Sequence, residues 1–359
     1  KFFKKNPLSL ATPLQIFKNN DFSSFGPYDG KIVSAFWSLN IFTNQRHLAL
    51  AYASLLFLTF LIHKYSNSPE KLNITKVLMI GVLIGTFPFI HLAVFGMMGI
   101  TLIVSLIIYP NLRPKILLIG LIALLMAIPQ YLYLGSSHVE IKFFSPGYLV
   151  ENLTVINFIK YWFSNLGLSL ILFPLGFLIA DKAQKKLLLP FLSLFVIGNL
   201  FQFSPEIAAN HKFFNVFVIG ANLFTAYFLV RMAEKNLLAK VISCLLIIPL
   251  TLTGIVDFFP IVNDRYMVIY DIPGNITADF ILKNTPKDSV FLNSTFLYDD
   301  ASLAGRKIYL GWPYFSWSAG YDTTSRYAKM KNFLSGDDKK NLCKNLESEK
   351  IDFIEIKSD

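Results

Sequence analysis

The chain has 359 residues, of which 54% are hydrophobic and 16% are charged, and its mean hydropathy is +0.50. Soluble domains carry roughly 25% charged residues, so this composition excludes an ordinary soluble protein and predicts a polytopic membrane protein. The net charge of +10 does not indicate nucleic-acid binding, because many Lys and Arg residues lie in short loops and form no basic face with interleaved aromatic residues.

Residues 1–44 precede the first long apolar run and resemble the interior of a loop. The first residue is Lys1, and no signal peptide follows it. We therefore expect residues 1–44 to be an extracytoplasmic loop segment of a chain that has lost an N-terminal portion.

Apolar runs as long as membrane-spanning helices follow. Six of them are simple and occupy residues 47–63, 116–134, 164–180, 187–201, 213–230 and 238–259. They predict a transmembrane helical domain over residues 45–260.

A seventh stretch, residues 77–109, is too long for one comfortable span. It contains no charged residue in 33 positions but carries Pro88 and His91 near its middle. As one helix it would be about 50 Å long, against a hydrocarbon core of about 30 Å. We predict a membrane hairpin with His91 at its tip; the alternative is a single crossing. The first arm, Val77 to Pro88, is short and would have to be buried among other helices.

The distribution of basic residues favours the hairpin modestly. Loops 64–76, 110–115, 181–186 and 231–240 hold eleven Lys or Arg in 35 residues, whereas loops 135–163 and 202–212 hold three in 40. With two crossings in 77–109, all four basic loops fall on the cytoplasmic side. The prediction is then about eight crossings with both chain ends outside, whereas a single crossing would move residues 1–44 to the cytoplasm.

After the last apolar run the sequence changes character, and charged and turn residues return. Helices alternate with short strands, which predicts a small soluble α/β domain over residues 261–359, on the extracytoplasmic side. The predicted helices are 276–283, 323–334 and 337–347, and the predicted strands are 289–292, 307–310 and 351–356. The fold class is thus mainly α: a polytopic helix bundle followed by a small α/β domain.

This topology brings polar residues from distant parts of the sequence to one outer face, beneath the soluble domain. They are Arg46, His47, His91, Glu206, Asn210, His211 and Lys212. Cationic and hydrogen-bonding groups at a membrane interface suit a lipid-linked phosphate. Each also has a structural explanation: Arg46 and Lys212 as snorkelling anchors, His91 as a satisfied turn residue, and Glu206 with Lys212 as an ion pair.

Other patterns are weaker. The five histidines lack metal-ligand spacing, so no cofactor is identified and a divalent metal has no support. Asp299 and Asp300 are expected to cap a helical turn before Gly305. The aromatic stretch Trp312 to Trp317 could stack on a sugar, seat the tail on the bilayer interface, or simply pack.

Several motifs resemble prokaryotic polytopic proteins of the GT-C glycosyltransferase superfamily. They are Phe87-Pro-Phe-Ile-His91, Ile128-Pro-Gln130, Asn165-Leu-Gly167, Ala209-Asn-His-Lys-Phe213, Phe280-Ile-Leu-Lys-Asn-Thr-Pro-Lys-Asp-Ser-Val-Phe291, Leu303-Ala-Gly-Arg-Lys307 and Leu310-Gly311. The resemblance covers about residues 45–359, with loose motifs. It implies an integral protein of the bacterial plasma membrane that transfers a sugar from a polyprenyl-phosphate donor at the extracytoplasmic face.

The same resemblance implies a catalytic acidic residue in the first outer loop. Asp21 and Asp29 lie in a predicted outer segment, but neither matches the family's acidic motif. The expectation is that this residue is missing, and no catalytic residue is named. The competing hypothesis is a non-enzymatic transporter or envelope-assembly scaffold. Transporters often show broken helices at corresponding positions of two halves, and the sequence shows one broken stretch.

Overall fold

The structure is a computed structural model that describes residues 2–22, 34–134, 140–263, 268–336 and 340–356. The chain divides into two compact units. Unit 1 comprises Lys1–Ser136 and Lys142–Asp264, and unit 2 comprises Ser137–Ile141 and Arg265–Asp359. Each unit is described by itself.

Unit 1 begins with four short helices, in the segment predicted to be a loop. They are α1 (Phe2–Lys5), α2 (Thr12–Phe17), α3 (Ser34–Trp37) and α4 (Asn40–Asn44). The segment around α2 is tied to a helix near the end of the unit, because Asn263 donates to the carbonyl oxygens of Phe17 and Asn19.

The rest of unit 1 consists of longer apolar helices. They are α5 (Arg46–Ser66), α6 (Ile74–Gly85), α7 (Phe87–Ile108), α8 (Arg113–Leu134), α9 (Val155–Leu166), α10 (Ser169–Ile179), α11 (Lys182–Leu200), α12 (His211–Ala233) and α13 (Leu237–Val262). Among the described residues, five segments are long and apolar enough to cross a membrane: Arg46–Ser66, Phe87–Ile108, Pro110–Leu134, Ile207–Ala233 and Leu237–Val262. The chain is therefore an integral membrane protein, whereas the eight predicted crossings stay a prediction.

The stretch 77–109 is broken in the structure. Helix α6 ends at Gly85, and His91 interrupts the helical backbone of α7 with φ −164° and ψ 98°. Gln130 of α8 stabilises the break, since its side-chain amide donates to the carbonyl oxygen of Gly85 at 2.6 Å and accepts from the backbone N–H of Phe89 at 3.3 Å. The prediction that the stretch is not one continuous helix is confirmed.

Helix α6 runs parallel to α8 and packs closely against it. A Cβ on Gly81 would lie 2.8 Å from Ile122, and a Cβ on Gly85 would lie 2.5 Å from Met126. Helix α7 returns in the opposite direction and joins α8 through the short turn Pro110–Leu112. Helices α6 and α7 thus form an antiparallel pair, and Pro88 and His91 lie at the start of α7, next to the connection at Thr86.

Contacts at the helix ends show that the helices of unit 1 alternate in direction. At one end of α5 and α7, the ring of His47 contacts the ring of His91. At the other end, His63 Nδ1 and the hydroxyl group of Tyr109 share a hydrogen bond of 2.9 Å. Lys186 of α11 lies over the ring of Tyr109. We call the end with His63 the basic end and the end with His47 the histidine end.

Helices α10, α12 and α13 follow the same alternation. Phe173 contacts Phe217 and Phe177 contacts Phe224, so α10 and α12 run parallel, towards the basic end. Ser243 of α13 donates to the carbonyl oxygen of Leu229, so α13 returns to the histidine end. The eleven Lys and Arg of the four basic loops therefore lie at or beside one end of unit 1.

One predicted span is corrected by the structure. The apolar run 164–180 does not form one helix, because the chain bends by 92° between α9 and α10. Gly167 lies at the bend with a positive φ of 56°, a conformation that glycine adopts without steric cost. The second helix of the bent pair therefore starts at Ser169, and α9 lies across its end.

Unit 2 contains a three-stranded parallel sheet with the order β2-β1-β3. The strands are β1 (Val290–Leu292), β2 (Lys307–Ile308) and β3 (Phe353–Ile354). Its helices are α14 (Ile276–Asn284), α15 (Asp300–Leu303), α16 (Pro313–Ser318), α17 (Thr324–Ser335) and α18 (Leu342–Ser348). The small α/β character predicted for this region is confirmed.

The element predictions for unit 2 agree closely with the structure, and α14 and α17 match within about one residue at each end. Asp299 caps α15 by accepting from the backbone N–H of Ser302 at 2.9 Å, as predicted. Helix α18 begins at Leu342, later than predicted, and residues 337–339 of the predicted helix lie outside the described residues.

Candidate functional site

Four of the predicted site residues lie close together at the histidine end of unit 1. They are His47, His91, His211 and Lys212, and we call them the histidine cluster. The rings of His47 and His91 have centroids 5.3 Å apart, and Lys212 lies within electrostatic range of both His91 and His211. Helices α5, α7 and α12 thus each contribute to one polar group at the end of an apolar bundle.

The backbone break at His91 places its ring in this cluster. The Nδ1 atom accepts from the backbone N–H of Val94 at 3.4 Å, so the ring caps the helix that continues to Ile108. A neutral imidazole that accepts through Nδ1 carries its proton on Nε2. His91 is therefore prepared to donate a hydrogen bond through Nε2.

His211 has the opposite tautomer. Asn215 donates from Nδ2 to the carbonyl oxygen of Phe36 at 2.7 Å, so its Oδ1 faces His211 Nδ1, 2.9 Å away. The proton of the neutral ring must then be on Nδ1, which leaves Nε2 as an acceptor. The ring is buried and lies 4.2 Å from the ring of Phe36, so its orientation is fixed on two sides.

Lys212 supplies the cationic side chain of the cluster. The hydroxyl group of Tyr52, buried in α5, donates to the Lys212 carbonyl oxygen at 3.0 Å and fixes the start of α12 against α5. Glu206 lies within electrostatic range of Lys212. The cluster combines the Lys212 cation with the N–H donor of His91, which are groups that bind phosphate oxygens, and one carboxylate lies beside them.

The other two predicted residues are placed differently. Arg46 is exposed in the first turn of α5, next to His47. Asn210 is buried and donates to the carbonyl oxygens of Gly198 and Phe201 at 2.9 and 2.6 Å, at the end of α11. Satisfying those carbonyl groups accounts for its burial, so we leave Asn210 out of the site.

Sequence reasoning missed a second polar region of unit 1. A cavity of about 810 Å³ lies at the bend between α9 and α10, against α12 and α13. Its polar lining residues are Ser38, Ser164, Asn165, Ser169, Asn222, Thr225, Thr251, Thr253 and Asp257. Trp37 also lines it, and donates from Nε1 to Asn165 Oδ1 at 3.0 Å. Because Phe36 contacts His211, α3 lies between this cavity and the histidine cluster.

Asp257 is the acidic residue of that cavity and is 1% exposed. It is the single charged residue between Lys240 and Asn263. An ionisable group within a membrane helix is costly and is commonly functional. That isolated charge was the available signal in the sequence, although the run was interpreted only as an apolar span.

The aromatic stretch after β2 lines a cavity of about 850 Å³ in unit 2. Trp312 and Phe315, with centroids 4.9 Å apart, lie on one side of it. The expectation that the soluble domain overhangs the histidine cluster concerns two separate units and stays a prediction.

In the part of the chain that the structure describes, no group of three or more His, Cys, Asp or Glu is placed to hold a metal ion. Cys244 and Cys343 are exposed and form no disulfide with each other. No protein-family model, curated protein or solved structure matches the chain. Function is therefore argued from the geometry of the site.

Proposed function

We propose that the chain is a membrane glycosyltransferase of the GT-C kind, which uses a sugar carried on polyprenyl phosphate, and that the histidine cluster binds the phosphate of the donor. The observation that carries this proposal is the convergence of Lys212 with His47, His91 and His211. The resemblance of the sequence motifs to that superfamily is its second support.

The hydrogen-bonding pattern of the cluster suits a phosphate group. Lys212 supplies a half-buried positive charge, and His91 offers an N–H donor whose direction is set by its contact with Val94. Hydrogen bonds to charged groups contribute about 1.5–3 kcal/mol each. His47 and Arg46 are exposed beside them and can approach the same anion.

The polyprenyl chain would need an apolar path next to the cluster. A groove of about 710 Å³ lies between α5 and α6 and reaches Thr86 and Phe87, at the turn that precedes His91. Its lining is almost wholly apolar and includes Phe57, Leu61 and Leu83. The groove runs from Lys76 to Thr86 and Phe87, so an isoprenoid whose head group lies at the Thr86 end would present it to the histidine end.

The experiment measures binding of polyprenyl phosphate to the full chain in lipid nanodiscs, with phosphate-free polyprenol as the matched ligand. We expect Lys212→Met to weaken polyprenyl phosphate binding by about tenfold or more, which is the loss of one charged hydrogen bond. The double variant Arg46→Ala/His211→Ala should also weaken it. Binding of polyprenol should change little in either variant.

Lys235→Met is the control, since it removes one lysine from the basic end and leaves the cluster intact. If it weakens phosphate binding as much as Lys212→Met does, the effect is one of net charge. Equal affinity of the wild-type chain for polyprenyl phosphate and polyprenol would overturn the donor-site assignment. Unchanged sugar transfer by the Arg46→Ala/His211→Ala variant of the full-length protein would do the same.

A transporter is the second candidate, and the 92° bend between α9 and α10 favours it. Together with the α6–α7 turn, unit 1 has two interrupted helical stretches, as many transporters do. The cavity at the second break is lined by Asp257 and several hydroxyl groups. Solute uptake into proteoliposomes that is abolished by Asp257→Asn, with polyprenyl phosphate binding unaffected, would favour transport over transfer.

A further inference from the structure

Unit 2 contains a pocket at the edge of its sheet where the chain leaves β1 and β2. The segment 296–298 follows β1 and the segment 309–312 follows β2, and both line the pocket. Parallel strands in α/β folds bind ligands outside their carboxyl ends. The pocket volume of about 850 Å³ is also within the usual range of small-ligand sites, about 300–1,000 Å³.

Aromatic rings dominate the wall of this pocket. Its aromatic residues include Phe296, Tyr298, Trp312, Phe315 and Tyr321, which are 42–56% exposed. They come from the loop after β1, the loop after β2, helix α16 and the turn before α17. Rings that are so exposed, yet converge on one concavity from four segments, are poorly explained as packing for the core of unit 2.

The backbone around α16 is arranged to present these rings. Gly311 has a φ of 68° before the helix, and Gly320 has a φ of 98° after it. A Cβ on Gly311 would lie 2.7 Å from the side chain of Ile308, so the turn after β2 requires glycine. Tyr321 closes the segment by donating its N–H to the carbonyl oxygen of Ser316 at 3.0 Å.

Polar groups of both charges face the same pocket. Asp322 accepts from the backbone N–H of Thr324 at 2.9 Å, and hydrogen bonds from Thr324 hold the pKa of this carboxyl below its usual value. Arg326 lies 5.1 Å from the centroid of the Tyr309 ring and donates to the Tyr309 carbonyl oxygen at 3.3 Å. One carboxylate and one guanidinium give the pocket no formal net charge.

We propose that this pocket of unit 2 binds a neutral saccharide. Pyranose rings present apolar C–H faces that lie flat on aromatic rings, and hydroxyl groups that bond to carboxylate and guanidinium groups. Trp312 and Tyr321 supply aromatic faces, and Asp322 and Arg326 supply the hydrogen-bonding groups. The proposal goes beyond donor binding at the histidine cluster and does not depend on it.

Two other occupants fit the pocket less well. A phosphorylated ligand would meet the Asp322 carboxylate, which repels its negative charge. Aromatic residues that insert into a bilayer interface would be expected on a convex face. These rings instead surround a cavity of about 850 Å³.

The test is calorimetric titration of the full chain in nanodiscs that contain no glycolipid or glycoside detergent. The probes are di- and trisaccharides that end in neutral hexoses or N-acetylhexosamines. We expect at least one probe to bind with a Kd below about 1 mM. Trp312→Ala should weaken that binding by about 3- to 10-fold, the value of one aromatic contact. Asp322→Asn should weaken it as well.

Phe280→Ala is the matched control, because Phe280 is an exposed aromatic residue of unit 2 on α14, outside the pocket. Thermal unfolding shows whether each variant is folded. The proposal is overturned if no probe binds, or if Phe280→Ala and Trp312→Ala have equal effects on binding. It is also overturned if brominated lipids quench Trp312 fluorescence, since unit 2 would then present this surface to the bilayer.

Discussion

The rings of His47 and His91 lie 5.3 Å apart, although one begins α5 and the other lies in the interrupted first turn of α7. This contact holds the α6–α7 connection against the start of α5. His63, at the opposite end of α5, contacts Tyr109 instead. The two contacts define the direction of α7 and make the antiparallel pair of α6 and α7 testable.

We expect His47→Cys/His91→Cys to be joined rapidly by a short bifunctional thiol reagent, because the two side chains are in contact. The background is a chain in which Cys244 and Cys343, both exposed, are replaced by serine. Gel mobility after cleavage between the two sites reports the crosslink. His63→Cys/His91→Cys is the control and should stay unlinked, and efficient linkage of this pair would contradict the described direction of α7.

The second prediction concerns the close contact of α10 with α12. A Cβ on Gly176 would lie 2.0 Å from the carbonyl oxygen of Phe224, a backbone atom that cannot rotate away. Gly176→Ala should lower the free energy of unfolding by about 1–3 kcal/mol or more, as overpacking does. The measurement is thermal unfolding in detergent.

Gly120→Ala is the control for that experiment, because nothing lies within 4 Å of a Cβ at Gly120 of α8. Alanine is the better helix former, so this variant should stabilise the chain by about 0.5–1 kcal/mol. Equal melting temperatures for the two variants would show that α10 and α12 are not in the described contact.

The third prediction separates positioning from binding in the histidine cluster. Asn215 holds Nδ1 of His211 through its Oδ1 atom. Asn215→Ala should weaken polyprenyl phosphate binding by about 3- to 10-fold, because His211 loses its fixed tautomer. Asn215→Asp keeps an acceptor for Nδ1 and should restore part of the affinity. If Asn215→Asp binds polyprenyl phosphate no better than Asn215→Ala does, the role of Asn215 is purely structural and acts through its hydrogen bond to Phe36.

The fourth prediction concerns pH and unit 2. Hydrogen bonds from Lys329 and then from Tyr309, the latter at 2.9 Å, lower the pKa of Glu349 below its usual 4.5. A carboxyl group whose pKa is lowered by folding stabilises the folded state above its unfolded pKa. That contribution is lost as the pH falls through the folded pKa.

Glu349→Gln should therefore lower stability at neutral pH and make the decline between about pH 5 and 3 shallower. Melting temperatures across that range check the prediction. Glu347→Gln, an exposed residue on the same helix, should leave the profile unchanged. If the melting temperature falls equally between pH 5 and 3 in the wild type and in Glu349→Gln, the hydrogen bonds of Glu349 do not contribute to the pH dependence of stability.

Much of unit 2 was predictable because its signals are local. Asn275 accepts from Ala278 N–H and caps α14, and Gly336 ends α17 with a φ of 67°. These are the residue types that begin and end helices in short windows of sequence. The element bounds followed without knowledge of tertiary contacts.

In unit 1, hydropathy and loop charge predicted the alternation of helices and hence that His47 and His91 lie at the same end, although not that their rings are in contact. The bend at Gly167 was not predicted, because the run 164–180 carries no charged residue and a single glycine is compatible with a helix. The contact of His211 with Phe36 was not predictable either, since the two residues lie far apart in sequence. Asp257 was visible, but only the structure connects it with a cavity.

The short helix α6 has a consequence for how the protein is made. Its 12 residues extend about 18 Å, too little to cross a hydrocarbon core of about 30 Å independently. Gly85 ends it with a carbonyl group that receives its hydrogen bond from Gln130, in a helix synthesised later. We therefore expect α6 to take a stable position in the bilayer only after α8 has been synthesised, so that this part of the chain is inserted out of sequence order.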